Sequence, residues 1–372
     1  MNGHPMSAHA ERARTWLFEQ ALPVWARHGA NPRGGFHDRL DGDYRPSGDL
    51  RLRVQARQTY VFAEAGRLGW PGEWRPLVEH GLAFLLHRAR LEGGLVASRF
   101  APDGAVLDAE PDLYDQAFAL FAFAHAYRAL GDERAREAAV SLREALPAHP
   151  LGGFAEISGR GLNANPQMHL FEAALAWAEI DAGWSPMADG LARLCRERLV
   201  DRAQPVLREH LADDGAPAPG ERGEVTDPGH HFEWAWLLDQ RSGGEDALPG
   251  KLVEQGEAVG VDPVRGVAMM AVRPDGRRLD GTARLWAQGE RLRAALAMRR
   301  REGAPADVSS RRAVQAYNGL FAFIDPAPPG LWLDRMEEDG TLRQEPAPAS
   351  SLYHIMGACS ALLAEVGRDP RP

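Results

Sequence analysis

The spacing of apolar residues is helical over several long segments of the chain. In these segments apolar residues recur every three or four positions among strong helix formers such as alanine, leucine and arginine. The clearest examples are residues 53–67, 113–130, 169–180 and 284–301. The pattern predicts a mainly helical protein.

Short strand-like stretches with glycine punctuation separate the helical segments at intervals of roughly 60 residues. They occupy residues 34–36, 93–95, 152–154, 206–208, 266–268 and 330–332. Five of the six are followed by an Asp-Gly dipeptide, which favours a tight hairpin turn, whereas the third is followed by Ser158-Gly159. Each repeat is therefore predicted to contain two helices and a small hairpin.

Six helix pairs of this kind can form either a closed ring or an open solenoid. A closed ring buries the inner helices against one another without exposed ends, and no polar terminal repeat is evident. We therefore predict an all-α fold, an (α/α)6 barrel with short β-hairpins between the helices. Residues 1–372 are predicted to form this single domain, with residues 1–8 as a flexible N-terminal tail.

Composition narrows the range of partners. The 372 residues are 44% hydrophobic and 26% charged, with a formal net charge of -9. Such a chain can bury a sizeable core, and its acidity disfavours nucleic acid and anionic membranes. We find neither the apolar stretch of a secretory signal near the N-terminus nor a membrane-spanning run. We expect a cytoplasmic monomer or homodimer that binds a small molecule.

Cysteine and histidine patterns give no sign of a metal centre. Cys195 and Cys359 are the only cysteines, and no C-x-x-C, zinc-module or H-E-x-x-H spacing is present. We expect no disulfide framework, no metal and no cofactor.

Three histidines, His169, His230 and His354, are predicted to lie in the first turn of a helix. Each follows a residue that commonly caps helices, and in two cases proline takes the first helical position. These signals are Asn165-Pro166, Asp227-Pro228 and Ser350-Ser351. The positive end of the helix dipole disfavours an imidazolium there, so we expect the rings to be neutral and available as bases.

Glutamates stand three residues after two of these histidines. Glu172 shares a helical face with His169, and Glu233 shares one with His230, so each carboxylate could orient the ring or bind a ligand hydroxyl. A single histidine at a helix start is more often a packing residue, but three together favour function. His231 points about 100 degrees away from His230 and is predicted to be structural.

At these residues the chain resembles the N-acylglucosamine 2-epimerase family, and the resemblance extends over nearly the whole sequence. The matching motifs are Arg57-Gln58, Met168-His169 with Glu172, Pro228-Gly229-His230 with Glu233-Trp234, Trp286 with Glu290, and Tyr353-His354. The resemblance implies an (α/α)6 barrel whose active site lies at the mouth. It also implies a sugar isomerase or epimerase.

The resemblance assigns roles to individual residues. His230 and His354 correspond to the histidine pair that transfers substrate protons, and His169 corresponds to a residue that assists ring opening or holds the sugar. Arg57 would lie beside the reacting oxygen atoms. The sugar-binding candidates are Glu172, Glu233, Glu290, Trp286 and Tyr114.

The expected chemistry is removal of the proton from carbon 2 of an open-chain aldose, which needs a base and a cation that stabilises the enediolate. Return of the proton to carbon 1 gives a ketose, and return to the opposite face of carbon 2 gives the epimer. Both outcomes use the same residues. We favour conversion of free mannose to fructose because the chain resembles the short bacterial isomerases of the family.

Several alternatives stay open at this point. One is a 2-epimerase of N-acylglucosamine or of the mannose/glucose pair. Another is a mannose 6-phosphate isomerase, because Arg53 and Arg57 stand four apart on one helical face and could bind phosphate. A glycoside hydrolase on the same barrel would use paired carboxylates, for which Glu172, Glu233, Glu290 and Asp115 are available. A non-catalytic sugar-binding protein is a third class.

Overall fold

The computed structural model describes residues 5–157, 159, 161–201, 205–301 and 306–367. Twelve helices of ten or more residues account for nearly half of this part of the chain. They are α1 (Pro5–Trp16), α2 (Leu52–Arg67), α3 (Trp74–Phe84), α4 (Leu113–Leu130), α5 (Glu133–Ala145), α6 (Ala164–Ala178), α7 (Ser185–Leu194), α8 (Pro228–Ser242), α9 (Leu248–Gly260), α10 (Leu285–Arg299), α11 (Ala306–Ile324) and α12 (Leu352–Val366).

The even-numbered helices form an inner ring, and the odd-numbered helices lie outside it. Each inner helix packs against the next, and α12 packs against α2, so the ring is closed. The pairing of Arg39 and Leu40 with Pro348 and Ala347 joins the two ends of the chain. The predicted (α/α)6 barrel is confirmed, and the open solenoid is wrong.

Short antiparallel strands connect the helices at the mouth of the barrel. They are β1 (Arg39–Leu40), β2 (Pro46–Ser47), β3 (Leu50–Arg51), β4 (Arg99–Phe100), β5 (Val106–Asp108), β6 (Leu162–Asn163), β7 (His210–Leu211), β8 (Met269–Val272), β9 (Arg278–Arg284), β10 (Arg335–Met336) and β11 (Ala347–Pro348). They form sheets in the orders β11-β1-β2, β3-β4-β5, β6-β7 and β10-β9-β8. The predicted turn at Ser158-Gly159 lies partly outside the described residues.

Local sequence signals set the ends of several helices. The side chain of Asp112 accepts the N–H of Tyr114 at the start of α4, and Gly131 ends that helix with a φ of 70°. At α8, Asp227 accepts the N–H of Gly229, with Pro228 in the first position. The predicted bounds of α2, α4 and α10 agree with the structure to within two residues.

Two predicted caps are wrong, and the part of the predicted tail that the structure describes, residues 5–8, is helical; residues 1–4 lie outside the described residues. Helix α6 starts at Ala164, so Asn165 is inside it and His169 is its sixth residue rather than part of the first turn. The hydroxyl of Ser351 donates to Asp334 at 2.6 Å instead of capping α12. Residues 5–8 form the first turn of α1, where Met6 is buried in the core.

The fourth residue of five inner helices fastens that helix to the preceding hairpin. Four are glutamines, whose side-chain amide accepts an N–H and donates to the C=O of one strand residue. The glutamines are Gln55, Gln116, Gln167 and Gln288, with partners Phe36, Val96, Phe154 and Ala268.

In α8 the fourth residue is His231, which takes the place of the glutamine. Its Nε2 accepts the N–H of Leu207 at 3.1 Å, and its Nδ1 donates to the carbonyl of Asp227 at 3.0 Å. This accounts for a buried histidine beside His230. Because these helices share one register, the inner-helix residues that line the barrel mouth all come from the second, third or sixth helical position.

Candidate active site

A cavity of about 270 Å³ lies at the N-terminal ends of the inner helices. This volume is near the lower end of the range for small-ligand sites. The lining includes Arg53, Arg57, Tyr114, Asn165, His169, His230, Glu233, Trp286 and His354. The cavity therefore brings together the predicted catalytic residues and three of the five predicted sugar-binding residues.

His354 is buried, and its ring lines this cavity. Its Nδ1 lies 2.7 Å from Oε1 of Glu290, and Nη1 of Arg293 donates to both oxygens of that carboxylate at 3.1 and 2.9 Å. Because Arg293 favours the ionised carboxylate, His354 donates its Nδ1–H and keeps the lone pair on Nε2. Burial, followed by the charge of Arg57, lowers the pKa of His354 well below its usual value. His354 is therefore placed as a neutral base.

His230, like His354, lies beside the Trp286 indole, with ring centroids 5.2 and 5.5 Å from the indole. Its Nδ1 lies 2.8 Å from Oε2 of Glu209 and 3.9 Å from Oδ2 of Asp227. Burial alone would lower the pKa of His230, but Glu209 and Asp227 outweigh burial and raise it to about 10. The expectation of a neutral ring is wrong here, because two full negative charges outweigh the partial charge of the helix end.

His169 lies deeper in the cavity. Its Nδ1 is 3.4 Å from Oε2 of Glu172, and its ring packs against Tyr114 and Phe118 with centroids 5.1 and 4.3 Å away. Burial lowers its pKa to about 4, although Glu172 opposes this shift. His169 is therefore neutral, as expected, but because of burial rather than the first-turn position on which the expectation rested.

Glu233 is a buried carboxyl group at the floor of the cavity, between His169 and His354. Oε1 lies 3.8 Å from Nδ1 of His169, and neither oxygen has a hydrogen-bond partner within the part of the chain that the structure describes. Burial, together with the charges of Glu290 and Glu172, raises its pKa well above the usual value. A neutral acid with both oxygens free is suited to hydrogen bonds with a ligand.

Arg57 supplies a positive charge at the cavity. Nη2 donates to the hydroxyl of Tyr114 at 2.7 Å, and Nη1 donates to the carbonyl of Ser350 at 3.3 Å. Its Cζ lies 4.1 Å from the ring centroid of Phe118. Its Nε has no partner among the described residues. Since these contacts are with neutral groups, the guanidinium is available to a developing oxyanion.

The structure separates the five predicted sugar-binding residues into two groups. Tyr114, Trp286 and Glu233 line the cavity. Glu172 and Glu290 lie beneath it, where they accept hydrogen bonds and orient the two neutral histidines. Tyr353 belongs to the Tyr353-His354 motif but was not a predicted site residue. Its hydroxyl also donates a hydrogen bond to Glu172.

Three residues of the site were not predicted to belong to it. Glu209 comes from the loop before β7 and holds His230, and Arg293 comes from the third turn of α10 and holds Glu290. Asn165 lines the cavity, and its Oδ1 has no partner in the described segments, so it can accept a hydrogen bond from a ligand hydroxyl.

Arginines at the rim of the cavity are already paired with carboxylates. Hydrogen-bonded distances within three such pairs are 2.7 to 3.2 Å. The pairs are Arg51 with Asp38, Arg53 with Asp115 and Arg284 with Asp334. Arg53, the predicted phosphate ligand, is therefore charge-compensated in this structure.

Two groups of side chains are compact enough to consider as metal sites. The donor atoms of His169, Glu172 and Glu233, and those of Glu233, Glu290 and His354, lie within 4.8 Å of one another in each group. Glu172 and Glu290 are already hydrogen-bonded to the histidines and lie beside Arg293. A metal ion would have to displace these contacts next to a guanidinium charge, so these residues do not fit a resident ion well.

We therefore expect turnover without any added metal. Dialysis of the protein against a strong chelator should leave its rate with sugar unchanged, because the bases and cations described above belong to the chain. Complete loss of activity that one divalent ion restores would contradict this expectation and the histidine mechanism with it.

Comparison with known proteins identifies the family of the chain. The sequence profile of the N-acylglucosamine 2-epimerase (GlcNAc 2-epimerase) family matches residues 34–358. The mannose-6-phosphate isomerase of Rhizobium meliloti (strain 1021) is 41% identical over 362 residues, covering 92% of this chain and 94% of the relative. The D-mannose isomerase of Marinomonas mediterranea is 25% identical, covering 96% of each chain. A crystal structure of D-mannose isomerase shares the fold, with a TM-score of 0.83 at 20% identity over 96% of this chain and 97% of that one.

The barrel, its mouth and these matches define an enzyme that isomerises or epimerises sugars. The chain belongs to the N-acylglucosamine 2-epimerase family. In the described part of the chain, no helix is both long enough and apolar enough to cross a membrane.

Proposed function

We propose that the protein is an aldose–ketose isomerase that converts free mannose to fructose. The observation that carries this proposal is the opposite protonation of two cavity-lining histidines that both lie beside Trp286. His354 is a neutral base, whereas His230 is held as an imidazolium by Glu209. A base and an acid that coexist at neutral pH can move a carbon-bound proton and an oxygen-bound proton in the same site.

In the proposed reaction the sugar ring opens first, because the proton on carbon 2 is acidic only beside a free carbonyl group. His169 lies in the cavity as a neutral group that can accept the proton of the anomeric hydroxyl, and Glu233 can donate a proton to the ring oxygen. The indole of Trp286 offers an apolar face to the sugar.

Isomerisation then transfers two protons. Nε2 of His354 removes the proton from carbon 2 while the imidazolium of His230 donates a proton to oxygen 1, which gives an enediol. His354 returns its proton to carbon 1, and the neutral ring of His230 takes the proton of the hydroxyl on carbon 2, which becomes the carbonyl. Arg57 stabilises negative charge on these oxygens during both transfers. Atoms and charges balance, and both histidines recover their starting state.

A second candidate is isomerisation of mannose 6-phosphate. The 41% identical relative from Rhizobium meliloti is a mannose-6-phosphate isomerase by name, which favours it. The carboxylate partners of Arg51, Arg53 and Arg284 argue for an uncharged sugar, because a phosphate dianion would have to compete with them for the same guanidinium groups. This charge balance is the reason for our preference.

Incubation with mannose, glucose, N-acetylmannosamine or mannose 6-phosphate in D2O, with products and deuterium positions identified by NMR, tests the proposal. Mannose is expected to give fructose with at least partial deuterium at carbon 1, since the proton on His354 exchanges with solvent between transfers. Glucose as the sole product from mannose, with deuterium at carbon 2, would instead establish an epimerase. Conversion of the phosphorylated sugar alone would support the second candidate, and conversion of none would overturn both.

A further inference from the structure

Arg293 occupies the centre of the barrel, on the side of the cavity floor that faces away from the mouth. It is the ninth residue of α10, and its side chain is only 5% exposed. Its Nη1 contacts both oxygens of Glu290, and its Nη2 lies 3.5 Å from Oε1 of Glu172. The guanidinium also stacks on the indole of Trp236, with Cζ 3.5 Å from the ring centroid. One cation thus contacts both carboxylates that hold the neutral histidines.

The protonation of Glu290 decides which nitrogen of His354 carries hydrogen. When Glu290 is ionised, it accepts the hydrogen of Nδ1, and the lone pair of Nε2 is free. When Glu290 is protonated, it can donate to Nδ1, and the hydrogen of the neutral ring moves to Nε2, which then cannot act as a base. Burial raises the pKa of Glu290, and Arg293 opposes that rise.

We infer that Arg293 is a positioning residue that keeps Glu290 ionised and thereby sets the tautomer of His354. The same guanidinium supports Glu172 beneath His169, at a longer distance. Arg293 does not line the substrate cavity, so it acts through these carboxylates and not on the sugar. The inference rests on the proposed function only in taking His354 as the base.

The packing around Arg293 is adapted to its guanidinium. Gly357, the sixth residue of α12, faces it, and a Cβ added at this glycine would lie 3.1 Å from Cζ of Arg293. The sixth residues of α2, α6, α8 and α10 are Arg57, His169, Glu233 and Glu290. The absence of a side chain at Gly357 is what lets the guanidinium approach Glu290 closely.

A second cavity gives solvent access to Arg293. It has a volume of about 420 Å³, lies at the C-terminal ends of the inner helices, and is lined by Arg293, Glu172, Trp236 and Gly357 among others. Truncation of Arg293 would enlarge this cavity. A guanidinium ion could then enter through this second cavity, at the end of the barrel opposite the mouth, without passing through the substrate cavity.

The chain offers a matched control on the same helix. Arg291 is 2% exposed and makes a two-point ion pair with Glu257 at 2.6 and 2.8 Å, but that pair faces the outer helix α9. Arg291→Ala therefore removes a buried arginine from its carboxylate partner but leaves the hydrogen bonds of Glu290 and His354 in place. It should reproduce the cost to folding and leave the site intact.

The test compares Arg293→Ala with Arg291→Ala by steady-state kinetics and by 15N NMR of the His354 ring. Arg293→Ala is expected to lower kcat by about 10²-fold with KM changed by less than about fivefold, and to move the hydrogen of His354 from Nδ1 to Nε2. Added guanidinium chloride, at concentrations below those that unfold the protein, should raise the kcat of Arg293→Ala at least about tenfold. An equal concentration of sodium chloride should not raise it. Arg291→Ala should show none of these three effects.

An unchanged tautomer in Arg293→Ala, or equal losses of kcat in the two variants, would overturn the inference. If Arg293→Ala does not fold, Gly357→Ala decides the matter, because it displaces the guanidinium by a few tenths of an ångström and should also lower kcat and shift the ring signals. The NMR measurement needs no turnover. It therefore separates failure of this inference from failure of the proposed function, which would appear as a wild-type protein that converts no sugar.

Discussion

Replacement of His354 with alanine is expected to lower kcat by about 10²-fold or more, with substrate binding largely retained. In the proposed mechanism the ring is the base, since Glu290 accepts its Nδ1–H and burial lowers its pKa. Its removal leaves no group with a free imidazole lone pair in that position, while Trp286, Arg57 and Asn165 still line the cavity and would bind the sugar in the proposed mechanism. Kinetics with mannose should therefore show a large loss in kcat and a small change in KM.

The matched control for this experiment is His231→Gln. Glutamine occupies the same helical position in four other repeats, where it makes the two backbone hydrogen bonds that fasten a helix to its hairpin. We expect kcat of His231→Gln to stay within about threefold of wild type, because general acid–base chemistry does not involve this ring. Equal losses in His230→Ala and His231→Gln would contradict the choice made within the His230–His231 pair.

Much of the architecture was predictable because the signals that set it are local. The bounds of α4 follow from Asp112 and Gly131, a capping residue and a left-handed glycine on either side of an apolar segment. The start of α6 was misplaced for a tertiary reason. Asn163 lies in β6, and the N–H of Ala164 bonds the carbonyl of Glu209, so the helix begins directly from the strand and passes Asn165-Pro166.

Glu209 could have been found with a better alignment of the repeats. In three repeats an acidic residue stands two positions after the hairpin residue that meets the fourth helical position; these residues are Asp38, Glu156 and Glu209. Glycine positions do not reveal this, because residues 206–208 contain no glycine and the repeat is displaced by one residue there. The glutamine at the fourth position of four inner helices, replaced by His231 in α8, gives the correct alignment of the repeats.

Arg293 could not have been singled out from the sequence alone. Arg291 and Arg293 lie in the same helical segment, and both are compatible with a solvated helix face. Only the closure of the ring brings Arg293 beside Glu172, a residue more than a hundred positions earlier in the chain. The pairing of Arg293 with Glu172 and Glu290 is thus a property of the folded barrel.

The alkaline limit of activity is expected to move to lower pH in Glu209→Gln. In the proposed mechanism His230 acts as an imidazolium, and its pKa of about 10 means that this form is present below that pH and is lost as pH rises through it. Glutamine keeps the size and the acceptor oxygen of Glu209 but removes its charge 2.8 Å from Nδ1. Loss of a contacting charge lowers such a pKa by about 1–3 units, so kcat/KM should fall about tenfold relative to wild type at about pH 9.5.

Glu156→Gln is the matched control for this shift. Glu156 stands at the equivalent position of the third repeat, where it accepts a hydrogen bond from Asn163 and contacts no histidine among the described residues. Its pH profile of kcat/KM should coincide with that of the wild type above neutral pH. If the alkaline limb of the kcat/KM profile of Glu209→Gln also coincides with that of the wild type, His230 does not act as the acid. The proton donated to oxygen 1 would then have to come from Glu233, which is also protonated and lines the cavity.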